Sequence, residues 1–143
     1  MIVLLVRHAR AGDREAWKGD DRLRPLDEKG WKQADGLVEL LADYPIERLL
    51  SSPSLRCTQT FEPLASARGL QIEEVAELAE GSTREDALRL LGSLDAGCIA
   101  LSTHGDVVEE LLGDGLRKSA TEVLTLEDDG TLRRVEHIDR PAV

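Results

Sequence analysis

Ile2-Val3-Leu4-Leu5-Val6 runs directly into Arg7-His8-Ala9-Arg10. The first five residues form an unbroken apolar run rich in branched side chains, which reads as a strand buried on both faces. A strand of that kind belongs to a sheet covered by helices on either side. In open sheets of this class, ligands sit beyond the carboxyl ends of the strands. Cations and an imidazole follow this strand immediately, so the residues just after each later strand decide what the chain does.

Working outward, Arg10 to Pro25 is charged and irregular, with Gly12, Gly19 and the Asp20-Asp21 pair, and reads as a long loop; loops of that length are often functional. Asp27 is placed to cap a helix running to about Asp43, with Trp31, Ala34, Leu37, Val38 and Leu41 at helical spacing. Glu47 to Ser51 is a second strand. Ser54 to Arg68 is helical, with a kink or restart expected at Pro63. Gln71 to Val75 is a short third strand. Thr83-Arg84-Glu85-Asp86 matches a capping box before Ala87, Leu88, Leu90 and Leu91. Gly97 to Ser102 is a fourth strand, and Asp106 to Leu112 a short helix. Thr121 to Leu126 and Thr131 to Ile138 form a hairpin about Asp129-Gly130. Strand and helix alternate until this hairpin, so the class is α/β with a largely parallel sheet. No repeat or linker divides residues 1–143, and one domain is expected.

Composition narrows the function classes. Lys and Arg number 18 against 28 Asp and Glu, a formal net charge of −10, and aromatics are only 3%. A nucleic-acid binder needs a basic footprint and stacking rings, so neither nucleic acid nor an anionic membrane is an expected partner. Cys57 and Cys98 stand far apart with no close partner, which excludes a disulfide framework or a zinc ribbon. The five apolar residues before Arg7 are too few for a signal sequence, so a cytoplasmic location is expected.

Three strand ends carry the chemistry. After the first come Arg7-His8-Ala9-Arg10; after the second, Ser51-Ser52-Pro53-Ser54-Leu55-Arg56; after the fourth, Ser102-Thr103-His104-Gly105-Asp106. Each leads to a loop or a helix start, where free backbone N–H groups attract anions. Two imidazoles and two guanidiniums converging there make a phosphate pocket. Arginine binds phosphate oxygens bidentately, and histidine can be a nucleophile or proton carrier near neutral pH. Singly, each residue has an ordinary explanation as a surface turn or a structural hydrogen-bonding group. Their shared topological position gives them force.

Arg7-His8-Ala9-Arg10-Ala11-Gly12 resembles the opening signature of the histidine phosphatase superfamily, also called phosphoglycerate mutase-like. The stretch Ser51 to Thr60 resembles its second motif, and Ser102 to Val107 its third. The short chain and Leu23-Arg24-Pro25-Leu26 resemble the small SixA-like branch of phosphohistidine phosphatases. The resemblance implies a three-layer sandwich with a mostly parallel central sheet. It makes His8 the nucleophile and lets Arg7, Arg56 and His104, with Gly105, hold the phosphate. Phosphoryl transfer is mostly positioning and electrostatics, which this set supplies without a metal or other cofactor. A backbone carbonyl should orient the other ring nitrogen of His8, with Gly12 or a neighbour the expected one.

Leu78-Ala79-Glu80 matches the family's acid pattern, with Glu77 the nearest competitor in an acidic stretch that is otherwise surface charge. A functional Glu80 favours phosphate monoesters, because a phosphohistidine leaving group departs without an acid. Arg10 and Arg24 are candidate contacts to the substrate beyond the phosphate, and Lys118-Ser119 a candidate rim. A cysteine phosphatase needs an arginine at a set distance after its cysteine, and the residues found there are Pro63 and His104. The chain lacks long insertions, so an open, shallow site is expected. The expected activity is that of a phosphatase acting on a phosphoprotein, with protein phosphohistidine foremost, or on a phosphorylated small molecule or nucleotide. A mutase is disfavoured for want of cover, and the remaining class is a phosphate-binding module without turnover.

Overall fold

A computed structural model describes residues 1–143. The first strand, β1, spans Ile2–Arg7 and continues as an apolar run on both sides of the sheet. Val3, Leu4, Leu5 and Val6 are fully buried, each worth roughly 1.5–3 kcal/mol relative to exposure. Their side chains alternate between two cores. Val3 and Leu5 join one cluster, and Leu4 and Val6 the other. A one-residue slip would exchange every partner on both faces, so burial fixes the register.

The other strands are β2 (Arg48–Ser51), β3 (Ile72–Glu74), β4 (Cys98–Thr103), β5 (Thr121–Leu126) and β6 (Leu132–Ile138). They form one sheet in the order β3-β2-β4-β1-β5-β6. β3, β2, β4 and β1 are parallel, while β5 runs antiparallel to β1 and β6 antiparallel to β5. Helices α1 (Glu28–Leu40) and α2 (Leu55–Arg68) cover one face through Leu37, Phe61 and Leu64. Helices α3 (Arg84–Gly92) and α4 (Gly105–Leu112) cover the other through Ala87, Leu90, Leu91, Val107, Val108 and Leu111. The architecture is the expected three-layer α/β sandwich. No helix is long and apolar enough to cross a membrane.

Local signals hold with small shifts. Asp27 caps α1 by accepting from Gly30 N, but the helix ends at Leu40 rather than near Asp43. The Thr83/Asp86 capping box is present in full. Pro63 sits inside α2, which continues through it without a restart and ends on left-handed Gly69. The loop from Arg10 to Pro25 is more organised than its sequence suggests. It carries a 3-10 turn at Asp21–Leu23 and a bridge from Ala11 to Leu26. Two side-chain amides pin it, with Arg10 N donating to Gln33 Oε1 and Leu26 N donating to Gln59 Oε1.

β4 lies between β1 and β2, so the carboxyl ends of three neighbouring parallel strands open onto one edge. That edge is where His8, Ser52 and His104 each leave the sheet.

Candidate active site

The four residues expected at the site come together there. His8 follows β1, and its backbone N–H donates to Thr103 O at 2.9 Å, carrying the ladder one step past the strand. Its Nδ1 lies 2.8 Å from Ala9 O. A carbonyl only accepts, so Nδ1 carries the proton and Nε2 keeps a lone pair. The orienting carbonyl is thus Ala9 and not Gly12. Gly12 O instead accepts from the Arg24 guanidinium. Burial, helped by the charges of Arg56 and Arg7 and by His104, pushes the pKa of His8 down to about 3.

His104 follows β4 and stands at the N-cap of α4. Its ring meets that of His8 edge-on, with centroids 5.6 Å apart. Nε2 sits 2.8 Å from Ser52 Oγ, and the buried Cys57 Sγ lies behind it at 3.6 Å. Nδ1 faces Arg56 Nη2 at 3.4 Å and Glu80 Oε2 at 3.8 Å. Burial, then Arg56, lowers the His104 pKa to about 4.

Arg7, at the end of β1, donates to Leu116 O at 2.8 Å. Its guanidinium packs against Gly105, where an added Cβ would lie 3.0 Å from Cζ. A side chain at 105 would therefore displace Arg7. Arg56, in the first turn of α2, is 1% exposed. It donates from Nη1 to Asp21 O at 2.9 Å and from Nη2 to Glu80 Oε2 at 3.1 Å, with Asp21 Oδ2 at 3.2 Å. Both arginines keep a buried Nε–H without a partner. Unpaired buried donors are rare and costly; the Arg7 donor belongs to a residue that lines the cleft, and Arg56 sits behind the cleft wall against Glu80 and His104.

The cleft itself has a volume of about 350 Å3 and is walled by Arg7, His8, His104 and Gly105, with Arg14, Glu80, Asp106 and Glu109 around its rim. Glu80 lies within reach of the cluster, whereas Glu77, in the 3-10 turn Ala76–Leu78, is not among the lining residues and makes no ion pair there. Glu80 accepts from Arg56 and, through both oxygens, from Arg14 at 3.1 and 3.2 Å. The acidic stretch around Glu80 is remote from the phosphate motifs in sequence, yet folding lays one of its carboxylates across them. To give a proton, Glu80 has to release two guanidiniums.

Arg10 and Arg24 do not join the four. Arg10 pairs with Asp27 at 2.9 Å, and Arg24 is buried against Asp21 at 3.0 Å. Both line an adjoining cavity, together with Lys118. Ser52 and Asp21 are site residues that the sequence reading did not assign. Ser52 had a usable signal, since it follows β2 as His8 follows β1. Asp21 had none beyond its place in a charged loop. No three His, Cys, Asp or Glu side chains come together in a way that could hold a metal ion.

The family model of the histidine phosphatase superfamily (branch 1) matches residues 3–87, well over half of the chain. The chain belongs to the histidine phosphatase superfamily. Among solved structures of this superfamily's fold, the protein histidine phosphatase SixA complexed with tungstate is 25% identical, with a TM-score of 0.84 over 97% of each chain. A SixA-type protein of Agrobacterium tumefaciens is 27% identical, with a TM-score of 0.77 over 96% of this chain and 97% of that one. Among curated proteins, the 8-oxo-(d)GTP phosphatase of Mycolicibacterium smegmatis is 34% identical over 97% of this chain and 48% of its own length. The chain thus spans about half the length of that relative. These likenesses bear out the phosphoglycerate mutase-like fold and the SixA-like resemblance.

Proposed function

We propose that this chain is a metal-independent phosphatase that works through a phosphohistidine intermediate on His8. The observation that carries the reading is His8 itself: a buried imidazole whose Nδ1–H is held by Ala9 O, leaving Nε2 unprotonated in a cleft it shares with Arg7, His104 and Gly105. Nε2 attacks phosphorus, the bond from phosphorus to the leaving atom breaks, and its electron pair departs with that atom. Water then attacks the phosphoryl group, the N–P bond breaks with its pair returning to Nε2, and phosphate leaves. Arg7 and Arg56 stabilise the charge on the transferring oxygens, which is where most of the barrier reduction in phosphoryl transfer arises. His104 stands beside them, its Nδ1 accepting from Arg56 Nη2 at 3.4 Å. Ser52 Oγ accepts from Ser54 N–H at 3.3 Å and from His104 Nε2–H at 2.8 Å. Arginine only donates, so the proton of neutral His104 is on Nε2 and the Nδ1 lone pair faces Arg56.

For the substrate, the SixA-type relatives and the open cleft support a phosphorylated protein side chain, phosphohistidine foremost. A second reading, a phosphorylated small molecule, draws on the cationic cavity beside the cleft and on the curated relative. Glu80 serves substrates with poor leaving groups once the incoming phosphate has displaced it from Arg56. The test is turnover of p-nitrophenyl phosphate with and without EDTA, in wild type and His8→Ala. Activity that resists EDTA and vanishes in His8→Ala supports the reading. Activity lost to EDTA points to a metal enzyme, and no turnover of any phosphate compound points to a binding module.

A further inference from the structure

Beside the phosphate cleft lies a larger cavity of about 620 Å3 that shares Arg7, His8 and Arg14 with it as a common wall. Its remaining charged lining is Arg10, Arg24 and Lys118 against Asp13 and Asp27. The cavity is therefore cationic in a chain whose net charge is −10. Most of these cations already have work. Arg10 holds Asp27, the N-cap of α1, and Arg24 holds Asp21 and the Gly12 carbonyl. The Lys118 ammonium makes no ion pair or hydrogen bond. Partial burial and the neighbouring charges of Arg7, Arg24 and Arg10 hold its ammonium below the ordinary lysine range.

The turn that carries Lys118 is fastened to the phosphate strand from both sides. Leu116 O accepts from the Arg7 guanidinium, and Ser119 N donates to Arg7 O at 2.9 Å. Ser119 takes a left-handed φ of 64°, the only non-glycine residue that does so. Non-glycine residues in that region are strained and collect at functional sites, where the surroundings hold them. Glycine would remove the strain, yet serine stands there. The consequence is a lysine whose backbone is fixed, in the same cavity as the nucleophile, with no carboxylate in ion-pair contact.

We infer that Lys118, with Arg10 and Arg24 behind it, forms a second anion subsite, and that the substrate class is an organic diphosphate whose terminal phosphoryl group reacts at His8. The inference rests on the phosphatase reading and, for the substrate, deepens its small-molecule alternative over phosphohistidine. A wall shared between the two cavities suits two anionic groups joined directly rather than through a long spacer. Transfer is balanced with water as the only co-reactant. The terminal phosphoryl passes to His8 Nε2, the bond to the bridging oxygen breaks, and the electron pair stays on the remaining monophosphate. That leaving group is already a stable anion and asks little of Glu80.

The test is calorimetric binding of orthophosphate, methylenediphosphonate and propane-1,3-diphosphonate to wild type, Lys118→Ala and Lys118→Glu. Lys118 has no partner to lose, so both variants keep the fold. Methylenediphosphonate should bind wild type at least about tenfold more tightly than orthophosphate, a difference of about 1.4 kcal/mol. That advantage should shrink severalfold in Lys118→Ala and disappear in Lys118→Glu. Equal affinity for the first two ligands overturns the inference, as does an advantage untouched by either variant. Tighter binding of the propane spacer overturns the diphosphate assignment. Binding is read without turnover, so failure of the phosphatase reading, seen with p-nitrophenyl phosphate, remains a separate result.

Discussion

Replacing Arg56 with alanine separates the chemistry of the site from the stability of the fold. Arg56 is 1% exposed, and its guanidinium spans Asp21, Glu80 and the neighbourhood of His104. Removal of one preorganised donor to a charged transition state costs about 10²–10³ in rate, or about 2.7–4 kcal/mol. The stability cost is smaller than the burial of Arg56 suggests. Its carboxylate partners, Asp21 and Glu80, keep 40% and 42% of their side chains exposed and rehydrate when the guanidinium leaves. The remaining loss is the packing of the buried stem and one hydrogen bond to Asp21 O, about 1–3 kcal/mol. Arg56 also depresses both imidazoles, so the variant should show His8 and His104 titrating at higher pH. The assay is kcat/KM on p-nitrophenyl phosphate from pH 3 to 8, beside urea unfolding of the same samples. Arg56→Lys should restore the low titration of the histidines but not the rate, because the ammonium lacks the planar fork. A folded Arg56→Ala protein that loses less than about tenfold in kcat/KM refutes the assignment of Arg56 to the transferring phosphoryl group.

Three further outcomes follow from the geometry. Ser52→Ala removes the hydroxyl that fixes His104, and kcat should fall about tenfold with little change in KM, with partial rescue in Ser52→Thr; unchanged kcat shows that Ser52 does not set the ring. Stability should fall as pH drops from 6.5 towards 4, because the unfolded state protonates His8 and His104 near 6.5 while the folded state resists to about 3 and 4. Each histidine contributes a slope of up to about 1.4 kcal/mol per pH unit, so urea unfolding of His8→Ala should show a slope roughly halved across that window. Gly30→Ala should destabilise by about 1–3 kcal/mol in thermal unfolding, since its Cβ would fall 1.8 Å from the backbone oxygen of Arg10; an unchanged midpoint shows that the loop yields freely.

What was legible in the sequence is what strands dictate. Once Ile2–Val6, the Leu49-Leu50 strand and Cys98–Leu101 are read as neighbouring parallel strands, Arg7, His8, Arg56 and His104 must meet at one edge, and they do. The sequence does not specify the path of the loop between Arg10 and Pro25. Its course depends on buried amide contacts from Gln33 and Gln59, residues remote from the loop. Asp21 and Arg14 could therefore be placed only on a loop expected to rim the pocket, and Arg24, expected as a substrate contact, also holds the loop to Gly12 O. The choice of Ala9 over Gly12 as the carbonyl beneath His8 is likewise a matter of local backbone direction that residue types do not encode. A kink or restart was expected at Pro63, but α2 runs through it as one helix, with Phe61 and Leu64 packed on the sheet on either side of it.

The measurement that bears most directly on the central claim is capture of the phosphorylated enzyme. A substrate labelled with 32P in its reacting phosphoryl group is mixed with the protein and quenched in alkali within milliseconds, and the labelled peptide is mapped. The expected result is label on His8 that survives alkali, is lost in acid and is absent from His8→Ala. Label that is stable to acid, or that maps to another residue, or turnover that persists in His8→Ala, contradicts a phosphohistidine at this position.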